Sequence, residues 1–281
     1  MMLFQISQLS LKPMENRQTD KLHKGFVSSD AGSYTLCMEI GLHGFSAAVT
    51  HGNELLFEEQ MVYPQAAGIA AQSDAVVSAL KKNDILYASF RDVKVFFSHP
   101  YFSLVPKEYY LQAEPRPWLN FQQAAGTLYH ALHNDLEKPE ARLFFSVMPE
   151  WQLFVKRYFG DVSTYHALAY LIPHKLALQA EGIVVWSYVL PGAQFLLVTN
   201  GDQLLFANYF DVPSPEDFAY SVLMVYEVLS LNSAKPCRVI GRQSFTEHGM
   251  ALLRDFLPNV VDTEETHAGK NSFVYSLGLL T

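Results

Sequence analysis

The sequence predicts an α/β protein of two tandem lobes, each with the order β-β-β-α-β-α-β. Three observations lead there: the size and composition of the chain, a hairpin repeated at a fixed spacing, and matching elements around its two copies. With 281 residues, 49% hydrophobic and 17% charged, the chain can bury a full core, and beyond roughly 250 residues cores tend to split into two units. That composition excludes a disordered tail, a collagen-like repeat and a mini-protein.

The repeat is direct. Val49-Thr50-His51-Gly52-Asn53-Glu54-Leu55-Leu56-Phe57 returns as Val198-Thr199-Asn200-Gly201-Asp202-Gln203-Leu204-Leu205-Phe206, an offset of 149 with six of nine positions identical. The register continues outward, with Phe45-Ser46-Ala47-Ala48 facing Gln194-Phe195-Leu196-Leu197 and Pro64 facing Pro213. Each copy reads as an apolar strand, a tight turn on Gly-Asn or Gly-Asp where positive φ costs little, and a second strand. Turn chemistry alone would not dictate the matching Val-Thr and Leu-Leu-Phe flanks.

Extended runs over Tyr34–Ile40 and Ile183–Leu190 precede the hairpins, so each lobe opens with three strands. After the first triplet Ser73 is the expected cap of a helix through Val76–Leu80. After the second, Ser214-Pro215-Glu216-Asp217 starts a helix to about Ser230, with a hydroxyl cap, proline in the first turn and early acids. Strands follow at Val93–Ser98 and Cys237–Gly241, then helices over Gln122–Leu136 and Ser244–Phe256, then strands at Leu143–Val147 and near Val260-Val261. The expected organisation is an N-terminal extension, 1–31, and two lobes, 32–165 and 166–281.

Three antiparallel strands followed by alternating helices and strands resemble the ribonuclease-H-like unit, and two in tandem resemble the actin, sugar-kinase and Hsp70 architecture. More narrowly, Phe102-Ser103-Leu104-Val105-Pro106-Lys107-Glu108-Tyr109-Tyr110 and Pro213-Ser214-Pro215-Glu216-Asp217-Phe218-Ala219-Tyr220 are similar to an uncharacterised bacterial family of actin-like ATPase fold, one of the domains of unknown function. The likeness spans most of residues 32–281. It implies a fold and supplies no activity.

Active ATPases of that architecture place an acidic residue two positions before glycine at the first hairpin, where backbone N–H groups approach phosphate and the carboxylate organises Mg²⁺ through water. Here Glu39-Ile40-Gly41 holds that position and Leu42-His43-Gly44 makes the turn. Glu is one methylene longer than Asp. The second-lobe stretch Tyr188-Val189-Leu190-Pro191-Gly192-Ala193-Gln194 has no carboxylate, and Pro191 removes an N–H that a phosphate loop would use. In place of an adenosine loop with Gly-Gly there is only Gly241-Arg242. The nucleotide machinery reads as degenerate, with Glu39, Gly41, His43, Gly192 and Gln194 as the residues left to line an inter-lobe cleft. Glu39 reads alternatively as a solvated residue at a strand end.

Other motifs point away from chemistry. Gly269-Lys270 lacks both the first glycine and the Ser or Thr of a phosphate loop, and there is no G-x-S-x-G. His130 and His133 sit three apart on an expected helix without a third zinc ligand, and Asp92 stands at the wrong end of its strand for a two-metal nuclease. No catalytic residue and no metal site is predicted. A formal net charge of −8 without a basic cluster argues against nucleic acid. Cys37 and Cys237 lie apart in apolar strands and read as small buried hydrophobes. The N-terminus lacks a signal-peptide pattern and the longest apolar stretch, 183–199, is broken by Pro191-Gly192, so a cytoplasmic protein without a membrane span is expected.

Tyr101, Phe102, Tyr109, Tyr110 and Trp118 share a proline-stiffened segment, His99–Asn120, and suit either a protein-partner surface or packing within their own lobe. Two functional readings stand: a non-catalytic adaptor or scaffold that binds another protein, and a divergent nucleotide- or sugar-binding ATPase or phosphotransferase using ATP with Mg²⁺ in the cleft.

Overall fold

The computed structural model describes residues 22–263 apart from 24, 65–66, 111–114, 121–127 and 242–244. Its elements run β1 (Leu22–His23), β2 (Thr35–Gly41), β3 (Gly44–His51), β4 (Glu54–Val62), α1 (Ile69–Lys82), β5 (Asp92–Ser98), β6 (Phe102–Pro106), α2 (Pro115–Leu119), β7 (His130–Leu136), β8 (Ala141–Val147), α3 (Pro149–Phe159) and β9 (Ser163–His166). They continue with α4 (Leu168–Ala177), β10 (Ile183–Leu190), β11 (Ala193–Asn200), β12 (Gln203–Asp211), α5 (Pro215–Val228), β13 (Cys237–Ile240), α6 (Thr246–Arg254) and β14 (Val260–Asp262).

Two mixed sheets repeat one strand order. The first is β1-β4-β3-β2-β5-β9 and the second β12-β11-β10-β13-β14, with antiparallel hairpins on one side and parallel strands on the other. The two hairpins match in detail. Each has a register shift at the same repeat position, between Val49 and Thr50 and between Val198 and Thr199. The turn glycines Gly52 and Gly201 stand at φ +56° and +60°, a region that L-residues enter only at a cost. As expected, Ser214 Oγ caps α5 by accepting from Asp217 N–H at 3.1 Å, with Pro215 in the first turn.

Several expectations are corrected. Helix α1 begins at Ile69, capped by Gly68, so Ser73 lies inside it. Ile69 joins Val76 and Leu80 on the buried stripe, and that apolar spacing outweighs a hydroxyl cap. Of the expected helix over 122–136, residues 122–127 lie outside the described residues and His130–Leu136 is strand β7, with Leu132 and Leu136 turned inward and Asp135 opposite Arg142. Three residues apart on a strand, His130 and His133 face opposite ways, and no group of three or more His, Cys, Asp or Glu that could hold a metal occurs among the described residues. Strand β8 forms at the expected place but joins a separate three-stranded sheet, β6-β8-β7. The strand that ends the first sheet beside β5 is β9, a short, partly polar segment with little periodicity to announce it.

The core follows the same geometry. Alternate residues of the second sheet, Val185, Val189, Leu196 and Val198, pack under α5 and α6. The opposite set, Val184, Trp186, Tyr188, Phe195 and Leu197, joins the first lobe's core together with Leu168, Leu171, Ile172 and Leu176 of α4. One apolar cluster therefore runs from the first sheet through α4 into the second. No helix among the described residues is long and apolar enough to cross a membrane.

Candidate functional site: the junction between the lobes

The candidate site lies where the β2–β3 turn of one lobe meets the β10–β11 turn of the other. Each turn is tied to its own sheet by an equivalent bond: Tyr63 N–H donates to His43 O at 2.8 Å, and Val212 N–H to Gly192 O at 2.9 Å. The two pairs are related by the repeat offset.

These turns touch. A Cβ on Gly44 would fall 2.6 Å from Pro191 Cβ, and one on Gly192 would fall 3.0 Å from His43 Cβ, both closer than ordinary carbon contacts. Gly192 also holds φ +62°. Across the same seam His43 Nε2 lies 2.7 Å from Asp211 Oδ1. The His43 and Asp211 side chains are 42% and 63% exposed, so this pair contributes at most about 1 kcal/mol. Closure rests mainly on the packing of Pro191 against Gly44. A phosphate group has no place between loops in van der Waals contact, and Tyr188 stands in the second lobe where Glu39 stands in the first. The residues present do not fit a Mg²⁺-nucleotide.

Beneath the turns lies a buried polar cluster. Glu39 is 1% exposed rather than solvated at a strand end. Its Oε1 approaches the Gly41 backbone, 3.5 Å from where a Cβ would stand. Burial raises its pKa to about 7, with the nearby Ser98 and Ser46 hydroxyls pulling it back only in part. Neither hydroxyl completes a hydrogen bond: Glu39 Oε1, Ser46 Oγ, Ser98 Oγ and Tyr63 OH all lack a partner. Burial, reinforced by Glu39, pushes the Tyr63 hydroxyl above its ordinary value.

His99 and His166 extend this region toward the β6-β8-β7 sheet. Burial lowers the His99 pKa to about 4 and holds His166 well below the ordinary imidazole value, with His99 a further depressing charge. Because Leu168 N–H donates to His166 Nδ1, the proton sits on Nε2, which donates to His99 O at 3.1 Å. The His166 ring touches Phe102, Phe145 and Phe195, one from each of three strands, and so pins all three sheets together.

Of the five cleft residues expected from sequence, the structure brings Glu39, Gly41, His43 and Gly192 together. Gln194 lies elsewhere. It is fully buried on the opposite face of the sheet, accepting from Ser187 Oγ at 2.6 Å and reaching Phe218 O and Ser221 Oγ on α5. Alternation along β11 dictates this, since Gln194 shares a face with Leu196 and Val198. Sequence reasoning missed Asp211, Ser46, Ser98, Tyr63, His99 and His166. Single polar residues inside or at the ends of apolar strands, such as Ser46 in β3 and Ser98 at the end of β5, were the available signal.

The aromatic segment is mostly internal. Phe102 is buried against His166, Tyr101 packs on His99, Tyr110 lies under the Arg142 guanidinium at 4.4 Å, and Trp118 joins the small core of Val105, Leu119 and Phe144. Tyr109, 64% exposed, is the one left at the surface of these five.

The family model described as "Protein of unknown function (DUF3822)" matches residues 23–260. No curated protein matches the chain in sequence. Among solved structures, a protein with actin-like ATPase fold and unknown function from Bacteroides thetaiotaomicron VPI-5482 is similar with a TM-score of 0.77 at 18% identity, covering 92% of this chain and 100% of that one. A PilM-PilN type IV pilus biogenesis complex is similar with a TM-score of 0.55 at 14% identity, covering 88% and 97%. These likenesses establish the actin-like ATPase fold.

Proposed function

This chain belongs to the DUF3822 family of unknown function, and from that premise together with the closed junction between its lobes we propose that it is a non-catalytic adaptor or scaffold. One observation carries the reading: Pro191 packs against Gly44, and His43 against Gly192, in the space a nucleotide's phosphates would need. The reading treats the lobes, 32–165 and 166–281, as diverged copies of one ancestral unit, supported by the shared strand order and the matching register shifts. A cytoplasmic setting accords with the two free cysteines. The PilM-PilN structure lends support to a protein partner, because there the similar fold occurs in a complex between proteins.

The test is thermal. Mg²⁺-ATP at millimolar concentration is expected to leave the melting temperature unchanged, whereas a nucleotide at one hundred times its Kd would stabilise by about 2.7 kcal/mol. Hydrolysis of ATP that Glu39→Ala abolished would overturn the proposal. The competing reading, a divergent ATPase or phosphotransferase, draws on the unpartnered Glu39, Ser46, Ser98 and Tyr63 groups, which would meet a polar guest if the lobes parted. A melting shift with ATP and Mg²⁺ would decide for it.

A further inference from the structure

We propose that the seam between the lobes is a proton-operated latch: with Glu39 protonated the β2–β3 and β10–β11 turns stay in contact, and its ionisation shifts the protein toward a form in which they part. The latch holds with or without the adaptor reading, because it concerns only the seam and the groups beneath it.

An acid without a counter-charge lies under the turns. Glu39 of β2 stands between its cross-strand partner Ser46 on β3 and Ser98 at the end of β5, with its Oε1 and both hydroxyls unpartnered. Two phenols also face this charge, Tyr63 after β4 and Tyr209 of β12. Burial raises both, with Glu39 adding to Tyr63, and Asp211 and then Glu39 adding to Tyr209, so each is neutral at neutral pH. Among the described residues no lysine or arginine acts on Glu39. An ionised carboxylate in this place has only water to turn to, and the closed turns shut water out.

The cover itself is thin. Across the seam stand Pro191 against Gly44, His43 against Gly192, and the pair of His43 Nε2 with Asp211 Oδ1. The lobes are joined elsewhere, through the apolar cluster around α4 and the His166 ring. At the opposite end of the second sheet Lys138 Nζ meets Asp202 Oδ2 at 3.1 Å. Parting the turns therefore leaves the main union of the lobes in place. The second titratable pair acts in the same direction, because His43 and Asp211 form an ion pair only when the imidazole is protonated. Protons favour closure at both places.

The Glu39 pKa sets the window. In the closed form it is about 7 against the ordinary 4.5, so opening gains as pH rises above 4.5 and levels off above 7. Between about pH 6 and about pH 8 the ratio of open to closed protein is expected to rise about tenfold.

A thiol placed in the cluster tests this. Ser46→Cys is close to wild type in size, and its rate of modification by methyl methanethiosulfonate, divided by that of an unprotected thiol at the same pH, reports opening. Cys237, fully buried in the core of the second lobe, reports unfolding of the whole. The introduced thiol is expected to react about ten times faster than Cys237 or more, with little response to dilute urea, and its normalised rate to rise about tenfold from about pH 6 to about pH 8. Adding Glu39→Gln is expected to remove most of that rise, and Asp211→Asn the remainder. Ser98→Cys, on the other side of Glu39, repeats the reading should the first variant fold poorly. Equal protection of the introduced thiol and Cys237 overturns the proposal, as does a normalised rate indifferent to pH or a rise that Glu39→Gln leaves whole.

Discussion

His43 and Gly192 occupy equivalent places in the two lobes and touch one another, with the position of a Gly192 Cβ only 3.0 Å from His43 Cβ. A turn that would cradle phosphate in an active ATPase here serves as a packing surface for its own counterpart. Because Gly192 also holds φ +62°, Gly192→Ala adds left-handed backbone strain to a steric clash. It is expected to destabilise the protein by about 2 kcal/mol or more, measured by urea unfolding. His43→Ala, which removes the crowding ring, is expected to recover part of that loss in the double variant.

Glu39 makes stability fall with rising pH. Its folded pKa of about 7 lies above the ordinary 4.5, so between those values the folded state holds a proton that the unfolded state has released. The contribution is complete below pH 4.5 and is lost as pH rises through 7. Glu39→Gln, a neutral residue of the same shape, is expected to stabilise the protein by about 3 kcal/mol above pH 7 and by little at pH 4.5. Melting temperatures of the two proteins at pH 5 and pH 8 check this, and equal differences at both would refute it.

His99 acts with the opposite sign. Its folded pKa of about 4 lies below the ordinary 6.5, so the unfolded state binds the extra proton and stability declines as pH falls from 6.5 toward 4. His99→Leu, which also removes two unpartnered ring nitrogens, is expected to flatten this acid limb. Denaturant midpoints recorded across pH 4 to 7 provide the measurement.

Gln194 is a structural residue. Gln194→Leu would leave Ser187 Oγ without its buried acceptor and strip the amide from Ser221 and Phe218. The expected loss is about 1–3 kcal/mol, read from chemical denaturation. Any nucleotide-dependent melting shift seen in the wild type should survive the change, since this side chain faces α5 and not the seam.

How much of this was legible depended on the kind of residue. Hairpin strands announced themselves because Leu55, Phe57, Leu204 and Phe206 repeat around turn glycines, and α5 did so because Ser214 and Pro215 start it by local chemistry. Residues 130–136 misled, since His130 and His133 at a spacing of three suggest a helix while Leu132 and Leu136 are equally consistent with alternate strand positions. Strand β9 carries Ser163 and Thr164 and is held by its neighbours rather than by its own pattern.

The sequence by itself determined the two lobes, the strand order of the second and the absence of a second carboxylate opposite Glu39. Local periodicity and turn chemistry act over a few residues, and the offset of 149 recorded them twice. Only the tertiary structure decided that Gln194 turns to α5 while Glu39 is sealed beneath touching turns. Those outcomes depend on which face of a strand meets which neighbour, and contacts such as His43 with Asp211, 168 residues apart, exist only once both sheets are in place.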